Sequence, residues 1–314
     1  MSPPATLPDS LEEAPPGHRS GFVAVVGRPN VGKSTLMNAL LGQKIAIVSP
    51  RPQTTRNRIN GILTAPDLQV IFVDTPGIHG PQHKLGEFMV EEVLAALPDA
   101  DLILWITDVS KPPHQDDERV ASVLRAQPIP VILVMNKIDI TPPAALVANS
   151  AFFRALIPAA VTDIALSAHK EWGTEALVDL LRQHLPPGPR YFPPDQVTDV
   201  QIRFLAAELV REKALLHLRQ EVPHAVAVEI EEFSERANGA AYVAARILVE
   251  RDSQKGILVG KGGGMLKRIG SEARQEIEQL TEGPVFLDLL VAVRPQWRRN
   301  PDELRRLGYV KREA

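Results

Sequence analysis

An apolar run, Gly21–Val26, passes directly into Gly27-Arg28-Pro29-Asn30-Val31-Gly32-Lys33-Ser34, and a helical stretch, Ser34–Gly42, follows. A G-x-x-x-x-G-K-S sequence between a strand and a helix restricts this part of the chain to one supersecondary unit, a strand–loop–helix that wraps a phosphate chain. Glycines let the backbone N–H groups of the loop turn inward, and the helix N-terminus adds partial positive charge. Lys33 is spaced to reach β- and γ-phosphates, and Ser34 to ligate Mg²⁺. Gly27, Asn30, Val31, Gly32, Lys33, Ser34 and Thr35 are the candidate phosphate-contacting residues.

Further buried-strand candidates are Gln69–Val73, Leu102–Asp108, Val131–Met135 and Asp163–Leu166, with helical stretches Leu85–Leu97, Asp116–Ala126 and Thr174–Leu185 between several of them. That alternation predicts an α/β fold, a P-loop NTPase with a doubly wound, mostly parallel sheet. The chain has 314 residues, which suits two domains, and no Cys, which excludes disulfides, thiolate metal sites and a thiol nucleophile. The net charge of −3 means that any basic surface is a local patch. Residues 1–19 are acidic and Pro-rich without an apolar core, and read as a disordered lead-in rather than a signal peptide. No apolar run reaches the roughly 18 residues of a membrane span, so a cytoplasmic location is expected. Leu185–Val200 holds five prolines and a glycine, which predicts a boundary: 20–185 as one domain, 186–200 as linker, 201–314 as a second domain.

Three loops after the first domain's strands carry base-reading and switch chemistry. Asn136-Lys137-Ile138-Asp139 follows a strand. A carboxylate at Asp139 can accept from guanine N1–H and its exocyclic amine, a donor pair that adenine lacks. Asn136 would brace the loop, and Ser167-Ala168 would complete the base pocket. Asp74-Thr75-Pro76-Gly77 ends another strand. Asp74 is spaced to hold Mg²⁺ through water, and the Gly77 N–H to sense a γ-phosphate. Thr54-Thr55-Arg56 lies between the P-loop helix and the strand Gln69–Val73, where one threonine would contact Mg²⁺ and γ-phosphate; Thr55 is the first choice and Thr54 its rival. Lys33, Asn30, Thr55 and Gly77 are therefore the candidate catalytic residues, and Ser34, Thr55 and Asp74 the candidate metal ligands. Ile78 stands where many such enzymes place a water-positioning glutamine, so hydrolysis is expected to be slow.

After residue 200 the pattern changes. Gln201–Leu218 reads as a helix with Ile202, Leu205, Leu209 and Leu216 on one face. Two alternating segments follow, His224–Glu235 and Ala241–Glu250, joined at Asn238-Gly239, a hairpin signal. Then come Gly256–Val259, the loop Gly260-Lys261-Gly262-Gly263, a helix with Leu266, Ile269, Ala273, Ile277 and Leu280 in register, and a strand at Pro284–Arg294. The order α-β-β-α-loop-α-β and the G-x-x-G loop resemble a smaller α+β unit, a type II KH domain, which clamps single-stranded RNA. Lys255, Lys261, Lys267, Arg268 and Arg274 face one acid, Glu272, across 254–274. Gly260, Lys261, Gly262, Gly263, Lys267 and Arg268 are the candidate RNA contacts. Aromatics are only 5%, so base reading in an aliphatic groove is expected rather than stacking. Arg298-Arg299 are read either as RNA contacts or as a solvated turn, Trp297 as core in preference to a base-stacking surface, and Asn300-Pro301 as the start of a last helix. The eight His show no ligand spacing.

GRPNVGKSTLMNALLGQKIAIVS, RPQTTRNRI, VDTPGIH, NKID, YFPPDQVTD and FLAAELVREK, with the G-x-x-G segment, resemble the Era family of bacterial GTPases over roughly residues 20–310. The resemblance implies a slow GTPase that cycles between GTP and GDP, with Mg²⁺ as cofactor and K⁺ as a second cation held through Asn30. It also implies binding to the 3′ end of 16S ribosomal RNA, a role in 30S subunit maturation, a monomer, and peripheral association with the membrane. Two alternatives stand beside it: an RNA-binding scaffold whose nucleotide site is mainly structural, and a membrane-surface GTPase that acts without RNA.

Overall fold

The computed structural model describes residues 14–49, 54–78, 84–218, 222–236 and 239–309. Residues 1–13 of the expected lead-in and Asn238 of the expected hairpin turn lie outside them. The chain divides into two compact units. The first comprises Met1–Ile45, Arg58–Ile78 and Glu92–Asp199; the second comprises Ala46–Asn57, His79–Glu91 and Val200–Ala314.

The first unit is a six-stranded sheet in the order β2-β3-β1-β4-β5-β6. The strands are β1 (Arg19–Val26), β2 (Ile59–Ala65), β3 (Leu68–Asp74), β4 (Leu102–Asp108), β5 (Val131–Asn136) and β6 (Thr162–Ala165). All neighbours pair in parallel except β2, which runs antiparallel to β3. The fully buried runs LQVIFVD, LILWITD and VILVMN are the central strands. Covered on both faces, such strands carry continuous apolar sequence instead of alternation. β2 was missed in the sequence because Asn60 and Gly61 interrupt its apolar pattern; pairing with β3 makes it a strand.

The helices of this fold are α1 (Lys33–Leu41), α3 (Gln115–Arg125), α4 (Pro143–Leu156) and α5 (Thr174–His184); α2 (Lys84–Ala96) begins in the second unit's segment His79–Glu91 and ends in the first unit. α1 stops at Gly42, which is left-handed at φ 66°. On one face of the sheet, Val26, Ile103, Trp105, Leu133 and Met135 pack with Val120, Leu124, Phe153 and Ile157. Trp105 and Phe153 meet edge-on at 6.1 Å. The Pro-rich stretch before residue 200 is held along β2 and β3. Gln69 donates to the Phe192 carbonyl at 2.8 Å, Ile62 N to Val197 O at 2.8 Å, and Thr198 Oγ1 to Asn60 O at 2.7 Å.

The second unit has a three-stranded sheet, β7 (Ala227–Glu235), β8 (Ala241–Val249) and β9 (Val285–Val293), in that order. β7 and β8 are antiparallel, and β8 and β9 parallel. Its helices are α6 (Ile202–His217), α7 (Asp252–Val259), α8 (Gly264–Thr281) and α9 (Pro301–Arg306). The expected inward residues Val243, Ala245, Ile247, Val249, Ile269, Ala273 and Ile277 form its core. The α6 stripe needs correction: Ile202 and Leu216 are 39% and 44% exposed, while Ala206, Val210 and Ala214 are buried with Leu209. The core-facing side of α6 is made of small residues because α6 lies against α8. Trp297 is fully buried, as expected, with Leu85, Met89, Leu304 and Tyr309. Asn300 caps α9, its side chain accepting from Asp302 N at 2.9 Å.

Candidate functional site

In the first unit every candidate loop lies at the C-terminal end of a parallel strand, the edge where open α/β sheets bind ligands. The phosphate loop follows β1, Asp74 ends β3, Asn136 ends β5, and Ser167 follows β6. Gly77 closes on the phosphate loop: a Cβ there would sit 2.6 Å from Pro29 N. Ile78 N donates to the Gly27 carbonyl at 3.2 Å. Thr75 Oγ1 donates to Val25 O at 2.8 Å. The Ile78 side chain is buried in the sheet core, so it offers nothing to a water.

Lys33 is buried, and its Nζ donates to the Gly27 and Arg28 carbonyls at 3.2 Å each. Burial pushes its ammonium down to about 8; Asp74 opposes that shift and Arg28 adds to it. Ser34 Oγ donates to Asp74 Oδ2 at 3.0 Å. A hydroxyl and a buried carboxylate set side by side form an oxygen donor set that fits a hard cation such as Mg²⁺.

Asn136 ties the base-reading loop to the phosphate loop. Its Nδ2 donates to Val31 O at 2.8 Å, while its Oδ1 accepts from Lys137 N at 2.8 Å and Ala168 N at 2.9 Å. One buried amide thus holds the phosphate loop, the NKID loop and the Ser167-Ala168 loop together. Pro142 and Thr141 follow that loop into α4, and Lys137 itself sits at φ 74°. Asp139 Oδ1 accepts from Ser167 Oγ at 2.7 Å. Lys137 Nζ donates to Asn30 O and to Asp108 Oδ2, each at 2.8 Å.

Three residues of this network were not singled out in the sequence. Arg28 donates through Nε to Asp117 Oδ2 at 3.0 Å and lies 3.7 Å from Asp108. Asp117 is fully buried at the start of α3, where it also accepts from His114 N. Burial alone would raise the Asp108 carboxyl, but hydrogen bonds from Lys137 and Ser110 hold it below the usual range. Asp108 carried a readable signal, since it ends a fully apolar strand on the ligand-binding edge.

Thr54 and Thr55 fall in the second unit. Thr54 Oγ1 donates to Ser49 O at 3.4 Å, its carbonyl accepts from Arg211, and Thr55 is buried. Arg56, next in sequence, is also buried. It donates to Val226 O at 2.7 Å and lies over the Trp297 ring at 5.6 Å.

In the same unit, Gly260, Gly262 and Gly263 all take positive φ between α7 and α8. Lys261 and Gly262 are exposed. A groove of about 410 Å³ runs beside the loop, lined by Gly263, Leu266, Lys267, Gly270, Ser271, Arg274, Leu287 and Leu289. Its walls are aliphatic, as expected, with cations at the rim. Lys267 lines it; Arg268 does not, and pairs with Glu272 at 3.1 Å. Leu287 and Leu289 were missed because they come from β9, distant in sequence from the glycine loop, while Ser271 and Arg274 lie further along α8 than the residues chosen as contacts.

A guanine-type base loop fastened to a P-loop, in a chain that also carries a G-x-x-G groove on a KH fold, defines the class: a P-loop GTPase with a KH domain. The family models agree, one described as a 50S ribosome-binding GTPase matching residues 22–137 and one as a KH domain matching 221–298. The GTPase Era of Geobacter metallireducens is 48% identical over 293 residues, 93% of this chain and 98% of that protein. That of Thermotoga maritima is 48% identical over 280 residues, 89% of this chain and 93% of that protein. A crystal structure of Era in complex with MgGDPNP and nucleotides 1506–1542 of 16S ribosomal RNA matches with a TM-score of 0.90 at 40% identity, covering 94% of this chain and all of that one. A variant of Aquifex aeolicus Era bound to GDP·AlF4⁻ matches with a TM-score of 0.89 at 40% identity, covering 93% and 100%. The chain belongs to the Era family of GTPases.

Proposed function

We propose that this chain is a GTP-dependent switch that hydrolyses GTP slowly, holds the 3′ end of 16S ribosomal RNA and assists maturation of the 30S subunit. The observation that carries the reading is the Asn136 amide, which fastens the guanine-reading loop to the phosphate loop. The Era complex with MgGDPNP and 16S ribosomal RNA supports the pairing of the two ligands in one protein.

In this reading 20–185 binds nucleotide and 201–314 binds RNA, with 186–200 between them and 1–19 as a lead-in. Gly27, Asn30, Val31, Gly32, Lys33, Ser34 and Thr35 hold the phosphates, Thr75 and Pro76 shape the γ-phosphate loop, and the Gly77 N–H senses the γ-phosphate. Asn136, Lys137, Asp139, Ser167 and Ala168 hold guanine. Ser34, Thr55 and Asp74 would hold Mg²⁺, which would offset charge on the phosphate oxygens. Asn30 would hold K⁺. Lys33 carries its proton below pH about 8 and offers it as charge to the phosphates. With Ile78 in place of a polar side chain, the attacking water lacks a side-chain base, which accords with slow turnover. Gly260, Lys261, Gly262, Gly263 and Lys267 clamp the RNA backbone, with Arg268 at the edge.

The test is a titration of an oligonucleotide from the 3′ end of 16S ribosomal RNA, with a scrambled control, in the presence of Mg²⁺ and either a non-hydrolysable GTP analogue or GDP. Tighter, sequence-selective binding with the GTP analogue is expected. Equal or absent binding in both states removes the switch. The site of action in this reading is the cytoplasm, as a monomer, with peripheral attachment to the membrane. Among the described residues no helix is long and apolar enough to cross a membrane, so attachment would be to its surface. Flotation with anionic vesicles tests that part.

A further inference from the structure

The sheet of the second unit has two faces. Val243, Ala245 and Ile247 of β8 point into the core shared with α6 and α8. Their neighbours along the strand point to the opposite face, where the register sets side chains of β8 and β9 next to each other in rungs. Tyr242 stands beside Phe286, Ala244 beside Asp288, Arg246 beside Leu290 and Leu248 beside Ala292. The chain covers the last rung itself: Leu248 is buried with Leu85, Met89, Trp297 and Tyr309. The other three rungs lie open. Phe286 and Leu290 are 56% and 55% exposed, an apolar surface that continues the covered one.

The open rungs share one chemistry. Tyr242 and Phe286 stack with ring centres 5.8 Å apart and planes 20° apart. The Arg236 guanidinium lies over both, 4.4 Å from the Tyr242 centre and 5.3 Å from that of Phe286. These rings thus already hold one cation against their π faces. In the next rung Ala244 is a small floor between two exposed carboxylates, Glu232 of β7 and Asp288 of β9. Two strand spacings separate them, about 10 Å. Ser234 Oγ donates to Glu232 Oε1 at 2.8 Å, and among the described residues neither carboxylate is in an ion pair. The third rung is different: Arg246 pairs with Glu231, and Glu229 with Arg306. Carboxylates without counterions beside an apolar, aromatic surface attract guanidinium and ammonium groups and repel phosphate. That disfavours nucleic acid and anionic lipid here. The groove beside the glycine loop is lined by Leu287 and Leu289, which belong to the other face of the sheet.

We propose that the open face of this sheet docks an extended segment of a partner protein that presents an arginine or lysine between two apolar side chains. Phe286, Asp288 and Leu290 are alternate residues of β9, so apolar, acidic and apolar groups follow each other on this face. Alternate side chains of an extended segment repeat at the same spacing. Laid along the strands, such a segment sets its cation over Ala244, between Glu232 and Asp288, and its apolar side chains on Phe286 and Leu290. Arg236 then stands beside the incoming cation as a like charge on the rings. The proposal holds whatever ligand the glycine loop takes, because the two surfaces are opposite faces of one sheet.

The test uses the full chain and a dye-labelled peptide, Thr-Leu-Thr-Arg-Thr-Leu-Thr, with a counterpart carrying glutamate in place of arginine. Fluorescence anisotropy should show saturable binding of the arginine peptide below about 1 mM and none of the glutamate peptide. Glu232→Gln with Asp288→Asn should weaken binding about tenfold, from two lost charge contacts. Asp99→Asn with Glu118→Gln removes two exposed carboxylates of the first unit and should stay within about twofold of wild type. Leu290→Ser should weaken binding about threefold, and Arg236→Ala should tighten it about threefold by freeing the rings and removing a like charge. Each variant should melt near the wild-type temperature, since the altered side chains are exposed. Absence of wild-type binding, equal weakening by the two carboxylate pairs, or weaker binding by Arg236→Ala overturns the proposal. Displacement of the peptide by a single-stranded oligonucleotide gives the face to RNA, and a dimer in sedimentation that Leu290→Ser dissociates gives it to a second copy of the chain; either result overturns it too.

Discussion

The two glycine loops of this molecule use glycine for opposite reasons. In the phosphate loop the glycines are enclosed: a Cβ at Gly27 would lie 2.4 Å from Ile106 O, and one at Gly32 2.3 Å from the Asn136 amide. At the tip of the second loop, at Gly262 and Gly263, a Cβ would meet nothing within 4 Å, whereas at its base a Cβ on Gly260 would lie 2.7 Å from Met265 Cβ. A compact polyphosphate is gripped by a cradle that other loops close, and bare backbone is needed for the protein to pack on itself. A polymer must enter and leave from the side, so the second loop stays open and the missing side chain makes room for the ligand. The first loop is also cross-braced by buried hydrogen bonds, whereas the second depends on exposed cations beside an aliphatic groove.

That contrast can be broken at its strongest point first. Lys33→Ala should abolish GTP turnover, a fall of about a thousandfold or more in phosphate release, because the buried ammonium has no substitute in the loop. Turnover retained in that variant would make the first site structural. Next, Gly77→Ala should lower GTP affinity at least a hundredfold and depress the melting temperature, since Pro29 backbone cannot move aside cheaply. Gly262→Ala should leave GTP binding intact and cost only about 1–2 kcal/mol of stability, from its left-handed φ of 57°, while RNA affinity falls. Similar stability losses in the two variants would erase the distinction. Asp139→Ala should reduce the preference for GTP over ATP by about a hundredfold or more, read by competition, because guanine's donors then face no carboxylate.

Smaller effects sharpen the comparison. Lys33 is lowered to about 8 in the free protein. Below that pH it is already charged, and above it phosphate binding must take up a proton. GTP affinity should therefore fall as pH rises through 8, by at most about tenfold per pH unit. Without nucleotide the sign for folding is the reverse: the folded state binds fewer protons than the unfolded chain between about 8 and 10.5, so Lys33 adds stability as pH rises through that window. RNA affinity should show neither trend, which calorimetry at pH 7 and 9 would check. The smallest expected difference is a few-fold faster turnover in K⁺ than in Na⁺, lost in Asn30→Ala.

Much of this was legible in the linear chain because loops that bind with their backbone must be contiguous. GRPNVGKS, DTPG, NKID and GKGG each contain their own chemistry, and the buried central strands announce themselves as unbroken apolar runs. What could not be read is what joins residues far apart. The Asn136 link to Val31 spans 105 positions and the Arg28 link to Asp117 spans 89. β2 became a strand only through its partner, and the inward face of α6 is set by the helix it meets rather than by its largest side chains. The sequence by itself therefore determined which ligands the loops can take, since that depends on local donors and spacing. The tertiary structure alone decided which glycines are enclosed and which lysine is desolvated, because burial and dielectric are properties of neighbours that the chain supplies from a distance.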